Sequence, residues 1–171
     1  MTYTVTAGHG DGDPGAAYAG LTEAALMAEL RDMVAARLRD MGHEVRQDGI
    51  GRVNRALTYA MTLISGSQCA VELHTNAAAN PAATGVEVIA LPEQKAKAQQ
   101  VAQAIARELG LRLRGMGGWI DQSMSARGRL GFVARGGMVV EVFFLSNPED
   151  LASYMLRKDA AARAIAEAMA T

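Results

Sequence analysis

The sequence predicts an α/β domain: a mostly parallel sheet flanked by helices on both faces. Three observations carry this expectation. Strand-length apolar runs alternate along the whole chain with segments of three- and four-residue apolar periodicity. The run Met138-Val-Val-Glu-Val-Phe-Phe-Leu145 is the strongest strand in the chain. Glycines at Gly42, Gly66 and Gly110 stop the helical segments and separate them from the strands that follow. The chain has 171 residues, 50% hydrophobic and 20% charged, with no internal repeat, low-complexity tract or linker, and reads as one continuous domain. A net charge of −1 speaks against disorder and against electrostatically driven nucleic-acid binding. The longest apolar runs are strand-length, so no membrane insertion is expected, and the N-terminus shows no signal-peptide pattern. Cys69 is the single cysteine, which excludes internal disulfides and cysteine-rich zinc sites. Any metal must be held by His, Asp or Glu.

The elements follow in order. Residues 3–7 read as a strand that runs into Gly8-His9-Gly10-Asp11-Gly12-Asp13-Pro14-Gly15, a loop of turn-forming residues around an accessible histidine. From Leu21 to Met41, Leu26, Leu30, Met33, Val34, Leu38 and Met41 mark one face of a long helix. Thr22 is its expected N-cap, Glu23 falls in its first turn and Gly42 stops it. Val45 marks a short strand, and a second helix is expected over Val53–Ile64. Cys69–Thr75 reads as a buried strand whose alternation places Glu72 and His74 on one face, Val71 and Leu73 on the other. A strand over Gly85–Leu91 and a helix over Glu93–Leu109 come next. Residues 111–136, glycine-rich around Trp119, read as a mixture of short helix and irregular structure. After strand 138–145, short helices are expected around 149–155 and 157–170.

In a parallel sheet, sites gather beyond the carboxyl ends of strands. His9 follows the first strand, His74 ends the 69–75 strand and Glu141 lies inside the 138–145 strand, so these residues can converge. His9, Glu23 and His74 would make a two-histidine, one-carboxylate zinc site with an open fourth position, the pattern of catalytic zinc. Such a zinc lowers the pKa of water and polarises a carbonyl. Glu141 is the candidate proton carrier beside it. Each residue also has a plainer reading: a solvated turn for His9, a helix-dipole acid for Glu23, a core histidine for His74, a structural salt bridge for Glu141.

Four segments in this order are informative together: Gly8-His9-Gly10-x-Gly12-Asp13-Pro14-Gly15-Ala16, Glu23, Leu73-His74-x-Asn76-Ala77, and Val140-Glu141-Val-Phe-Phe-Leu-Ser-Asn147-Pro148-x-Asp150. The chain resembles the zinc-dependent N-acetylmuramoyl-L-alanine amidases of type 3, found in bacterial autolysins and phage endolysins, over essentially its whole length. The resemblance implies a twisted, mostly parallel six-stranded sheet. It implies hydrolysis of the amide between the lactyl group of N-acetylmuramic acid and the L-alanine of the peptidoglycan stem peptide. It assigns His9, Glu23 and His74 to the metal (Zn2+) and Glu141 to catalysis, and Arg55, a candidate for substrate binding, loosely matches an arginine that the family tends to carry in the helix before the second histidine strand. Asp11 stands where the family usually has glycine, and Glu72 where it often has serine. Glu72 shares a face with His74, so it is expected to orient that ligand or to add negative charge.

Other residues keep two readings. Trp119 either stacks on a sugar or packs in the core. Asn76 either contacts substrate or braces the loop after His74. Arg127, Arg129 and Arg135 form a solvated basic face, or one of them meets a stem-peptide carboxylate. His43 reads as a surface residue and Cys69 as a small buried hydrophobe. The sequence leaves no stretch for a separate wall-binding module. The expected setting is a monomeric phage or prophage endolysin made in the cytoplasm and acting on the wall after release, with a bacterial autolysin second. Two other functions remain as rivals: a zinc peptidase cutting within the stem peptide, and a non-catalytic peptidoglycan-binding domain.

Overall fold

The computed structural model describes residues 1–125 and 128–171. In chain order the described residues form β1 (Thr2–Ala7), β2 (Ala17–Tyr18), β3 (Leu21–Thr22), α1 (Glu23–Asp40), β4 (Glu44–Gln47), α2 (Leu57–Ala60), β5 (Cys69–Asn76), β6 (Glu87–Ala90), α3 (Lys95–Leu109), β7 (Trp119–Asp121), α4 (Gly131–Ala134), β8 (Met138–Phe144) and α5 (Pro148–Ala170). Six strands make one sheet in the order β4-β1-β5-β8-β6-β7, and β2 and β3 pair as a separate small hairpin. All neighbours in the large sheet are parallel except β6 and β8. The α/β class and the mostly parallel pairing agree with the sequence reading, and six is the number of strands that the family resemblance implies; β7 lies in the 111–136 stretch read as short helix and irregular structure.

Local chemistry explains the element boundaries. The Thr22 side chain accepts from Ala25 N at 3.3 Å and starts α1. Leu26, Leu30, Val34 and Leu38 are buried along its inner face. Gly110, in the left-handed region at φ 67°, closes α3. Asn147 caps α5 by accepting from Glu149 N and Asp150 N, with Pro148 at the first helical position. α5 is one continuous helix, not the two expected from sequence. The exposed pair Met155 and Leu156 interrupts the apolar periodicity without breaking the backbone.

The helix expected over 53–64 is largely absent. Only the single turn α2 and a 3₁₀ turn at Met61–Leu63 form, and Val53 and Leu57 are exposed. The backbone before α2 is committed elsewhere: the carbonyls of Gly51 and Val53 accept from the buried Arg31 guanidinium. A helix over those residues would turn its carbonyls inward, away from that cation.

The two faces of the sheet are covered unequally. Inward residues of α1, α3 and α5 join Val5, Val71, Leu73, Val88 and Val140 in one large core. The opposite face carries a much smaller cluster, in which Ala60, Ile64, Phe132 and Val133 cover Ala70, Ile89 and Val139. Strand alternation then puts Glu72, His74, Glu87 and Glu141 on this thinly covered face, past the point where the short helices stop. Because β6 runs antiparallel to β8, Ile89 lies beside Val139 and Glu87 beside Glu141. Apolar residues thus line one half of the face and acids the other. Phe132 is the largest side chain of the small cluster, 1% exposed. Phe132→Ala is expected to lower the unfolding free energy by about 3–5 kcal/mol, read by urea denaturation.

Candidate metal centre

β1 delivers His9 at its carboxyl end, where the chain leaves the sheet. His9 has φ 59°, an uncommon conformation for a residue with a β-carbon, and it is held there by hydrogen bonds. The Asn54 amide donates to the carbonyls of Ala7, Gly8 and His9 at 3.0, 3.2 and 3.0 Å. Asn54 Oδ1 in turn accepts from Arg31 Nη1, which also bonds Asp48 at 3.1 Å. Arg31 and Asp48 are both fully buried, and Asp48 additionally accepts from Ala7 N. Burial pushes the Asp48 carboxyl up to about 6, against the opposing pull of Arg31.

Three side chains meet above this platform. Glu23, at the first position of α1, is 1% exposed. Its Oε2 lies 3.1 Å from His9 Nε2 and its Oε1 3.0 Å from His74 Nδ1. It also accepts from Ala16 N and Thr75 N. One ligand atom from each of His9, Glu23 and His74 falls within 4.8 Å of the others. The two imidazoles meet edge to face, with centroids 5.1 Å apart. The glycines beside them are sterically required: a β-carbon on Gly8 would collide with the His74 ring, and one on Gly15 would strike His9 and Glu23.

This cluster fits a small divalent cation. His9 Nε2 is buried and makes no hydrogen bond, although Glu23 is beside it. The other nitrogen of each histidine is taken by a second carboxylate. Asp13 Oδ2 lies 2.8 Å from His9 Nδ1, and Glu72 Oε2 lies 3.0 Å from His74 Nε2. His9 Nε2 and His74 Nδ1 are thereby left facing Glu23, as ligand atoms should be. With no cation between them, the neighbouring carboxylates raise the pKa of both histidines, Glu23 acting first on His9. Burial would push His74 down, but Glu23 and Glu72 on its ring nitrogens overcome this and raise it to about 10. Burial would push Glu23 up, but contacts with His74 and His9 hold its carboxyl well below the usual range.

Glu141 sits on β8 as the register partner of His74, 2% exposed, and its charge contributes to raising the His74 pKa. All four residues singled out for metal and proton chemistry therefore occupy one place. A hollow of about 240 Å³ opens on the Glu141 side, lined also by Asn76, Glu87 and Arg114. A larger one of about 1050 Å³ runs from His9 along α1 to the 51–54 loop.

The remaining sequence candidates fare differently. Asn76 donates to Glu87 Oε1 and accepts from Ala77 N, so it braces the loop after His74 while lining the smaller hollow. Trp119 is not placed for sugar stacking: it is 5% exposed, and its Nε1 donates to the Ala90 carbonyl on the outer part of the sheet. Arg55 lies in the loop before α2, not in a helix. Its guanidinium stacks on Tyr59, 4.3 Å from the ring centroid. Its carbonyl abuts Gly10, close enough that a β-carbon there would collide. Arg127 lies outside the described residues, and Arg129 and Arg135 are exposed. Cys69 is buried as expected, while His43 is half-buried against the Tyr3 ring.

The sequence pattern of the N-acetylmuramoyl-L-alanine amidase family matches residues 4–171. The chain belongs to that family. It is an amidase acting on peptidoglycan. A Neisseria meningitidis protein inferred to be an N-acetylmuramoyl-L-alanine amidase superposes with a TM-score of 0.92 at 42% identity, over 99% of this chain and 93% of that one. The amidase AmiC2 of Nostoc punctiforme gives 0.83 at 21% identity, covering 99% and 95%. The catalytic domain of CwlV from Bacillus (Paenibacillus) polymyxa gives 0.83 at 20%, covering 98% and 94%. The last two likenesses speak to the fold alone. A comparison with curated proteins finds no match.

Sequence reasoning passed over the Arg31–Asp48–Asn54 platform. Arg31 carried a signal: it occupies a core position in the stripe Met27, Arg31, Val34, Leu38, where a charge demands a buried partner. Asn54→Ala is expected to cost about 1–3 kcal/mol of stability by thermal melting, and to weaken any divalent-cation binding by the cluster in a chelator competition. A divalent cation entering this cluster would displace a proton from His74, so cation affinity is expected to rise with pH across the neutral range. Titration calorimetry in buffers of different ionisation enthalpy reads the released proton directly. For the metal-free protein, the raised His74 contributes stability that is complete below about pH 6.5. That contribution is lost as pH climbs through about 10.

Proposed function

We propose that this amidase is a single-zinc hydrolase that cuts the bond between the lactyl carbonyl of N-acetylmuramic acid and the nitrogen of L-alanine. The observation that carries the reading is the adjacency of Glu141 to His74 across the β5–β8 pair, which puts a buried carboxylate beside the three-residue metal cluster. His9, Glu23 and His74 would hold the metal. Zinc, when bound, supplies a Lewis acid for the carbonyl and brings the pKa of water toward neutrality. Glu141 takes the proton from the attacking water and returns it to the alanine nitrogen as the carbon–nitrogen bond breaks. The products are a muramic acid carboxylate and a stem peptide with a free amino terminus.

Because Glu141 must reach the leaving nitrogen, the hollow it lines is assigned to the stem peptide. The larger hollow beside His9 is assigned to the glycan side. Arg114, which donates to Glu87 at 2.6 Å and stacks over Phe144, supplies a positive charge in the peptide hollow. No helix among the described residues is long and apolar enough to cross a membrane. The setting we propose is a phage or prophage lysin, made in the cytoplasm and acting on the wall after release. A neighbouring holin gene would support that setting, whereas an upstream leader would make the protein an exported autolysin.

Digests of purified sacculi analysed by mass spectrometry test the reaction. Intact stem peptides beginning with L-alanine are expected, and fragments cut within the peptide would overturn the bond assignment. Glu141→Gln is expected to bind zinc like the wild type and to lose about 10²–10⁴-fold in turnover. His74→Ala is expected to lose metal and activity together.

A further inference from the structure

Glu72 is a buried acid with no part in the proton transfer described above. It is 6% exposed, two residues before His74 on the same face of β5, and its Oε2 lies 3.0 Å from His74 Nε2. No lysine or arginine forms an ion pair with it among the described residues, and its one ion-pair partner is His74. A carboxylate so placed is costly unless a positive charge balances it.

We infer that Glu72 is a positioning residue for the metal centre. By accepting the Nε2–H of His74 it fixes the ring's orientation and its tautomer, so that the Nδ1 lone pair points at the space shared by Glu23 and His9. The inference rests on the metal reading proposed above and extends it to a residue outside the ligand set. Three features of the local structure support it. Glu23 approaches His74 at Nδ1 and Glu72 at Nε2, so the two carboxylates have divided the ring between them. Gly8 packs directly against the ring, since a β-carbon there would overlap it, so the backbone confines the imidazole on that side. His9 is treated alike, with Asp13 on Nδ1 and Glu23 beside Nε2. The Asp13 side chain is 60% exposed, whereas that of Glu72 is 7% exposed. Water competes for the first bond and scarcely for the second, so the constraint from Glu72 is the firmer one.

The test measures zinc affinity by chelator competition in Glu72→Ala and Glu72→Gln, beside the wild type, with thermal melts of the metal-free proteins as the control for folding. Glu72→Ala is expected to bind zinc about 10–100-fold more weakly. Glu72→Gln keeps an amide oxygen that can accept from Nε2–H, so it is expected to recover most of the loss. Wild-type affinity in Glu72→Ala overturns the inference, and so does an equal loss in both variants, which would mean that charge alone matters. Should Glu72→Ala fail to fold, imidazole ¹⁵N spectra of the zinc-loaded wild type decide. Protonated Nε2 with metal-bound Nδ1 on His74 is expected, and the opposite tautomer overturns the inference. Failure of the wild type itself to bind zinc would instead remove the metal reading on which the inference stands.

Discussion

The site depends on one side-chain amide holding three consecutive carbonyls. Where β1 ends, the backbone must turn sharply so that His9 faces Glu23, and it does so with His9 in the left-handed region. An isolated peptide would leave that conformation readily. Asn54 prevents this by gripping Ala7, Gly8 and His9 together, and Arg31 prevents Asn54 from swinging away. Arg31 is itself neutralised by Asp48 and carries carbonyls from the 51–53 loop. The buried charge is therefore the anchor of a chain of contacts that ends at the His9 imidazole. Its cost is visible in the fold, because it keeps residues 53–56 out of the helix that their apolar spacing would otherwise favour.

The second organising fact is the unequal covering of the sheet. Three long helices share one face and build nearly all of the core, so the opposite face can carry acids without endangering stability. Along β5, β6 and β8 the same alternation that places Ala70, Ile89 and Val139 under α2 and α4 places Glu72, Glu87 and Glu141 beyond them. The site is the uncovered half of a surface whose other half is ordinary packing.

Much of this was legible in the sequence, and the physical reasons are specific. Strand periodicity alone put Glu72 and His74 on one face, and the Thr22 cap put Glu23 at the start of α1. Side-chain alternation and capping are local, so they survive without knowledge of the fold. What stayed hidden was set by contacts distant in sequence. Nothing near Trp119 indicates that Ala90 will accept its N–H, and nothing near Val53 announces that Arg31 will claim its carbonyl. The break expected near residue 156 failed for another reason: exposed apolar residues disturb a periodicity count while costing the helix nothing in backbone geometry.

The position of β8 has a further consequence. It is the last strand in the chain, yet it lies inside the sheet, between β5 and β6. In a growing chain, β5 and β6 are therefore made before the strand that lies between them. Glu141 is the last of the four site residues to leave the ribosome, and its arrival is the same event as closure of the sheet. Placement of Glu141 beside His74 and completion of the sheet are thus one structural event, since both come with the insertion of β8 between β5 and β6.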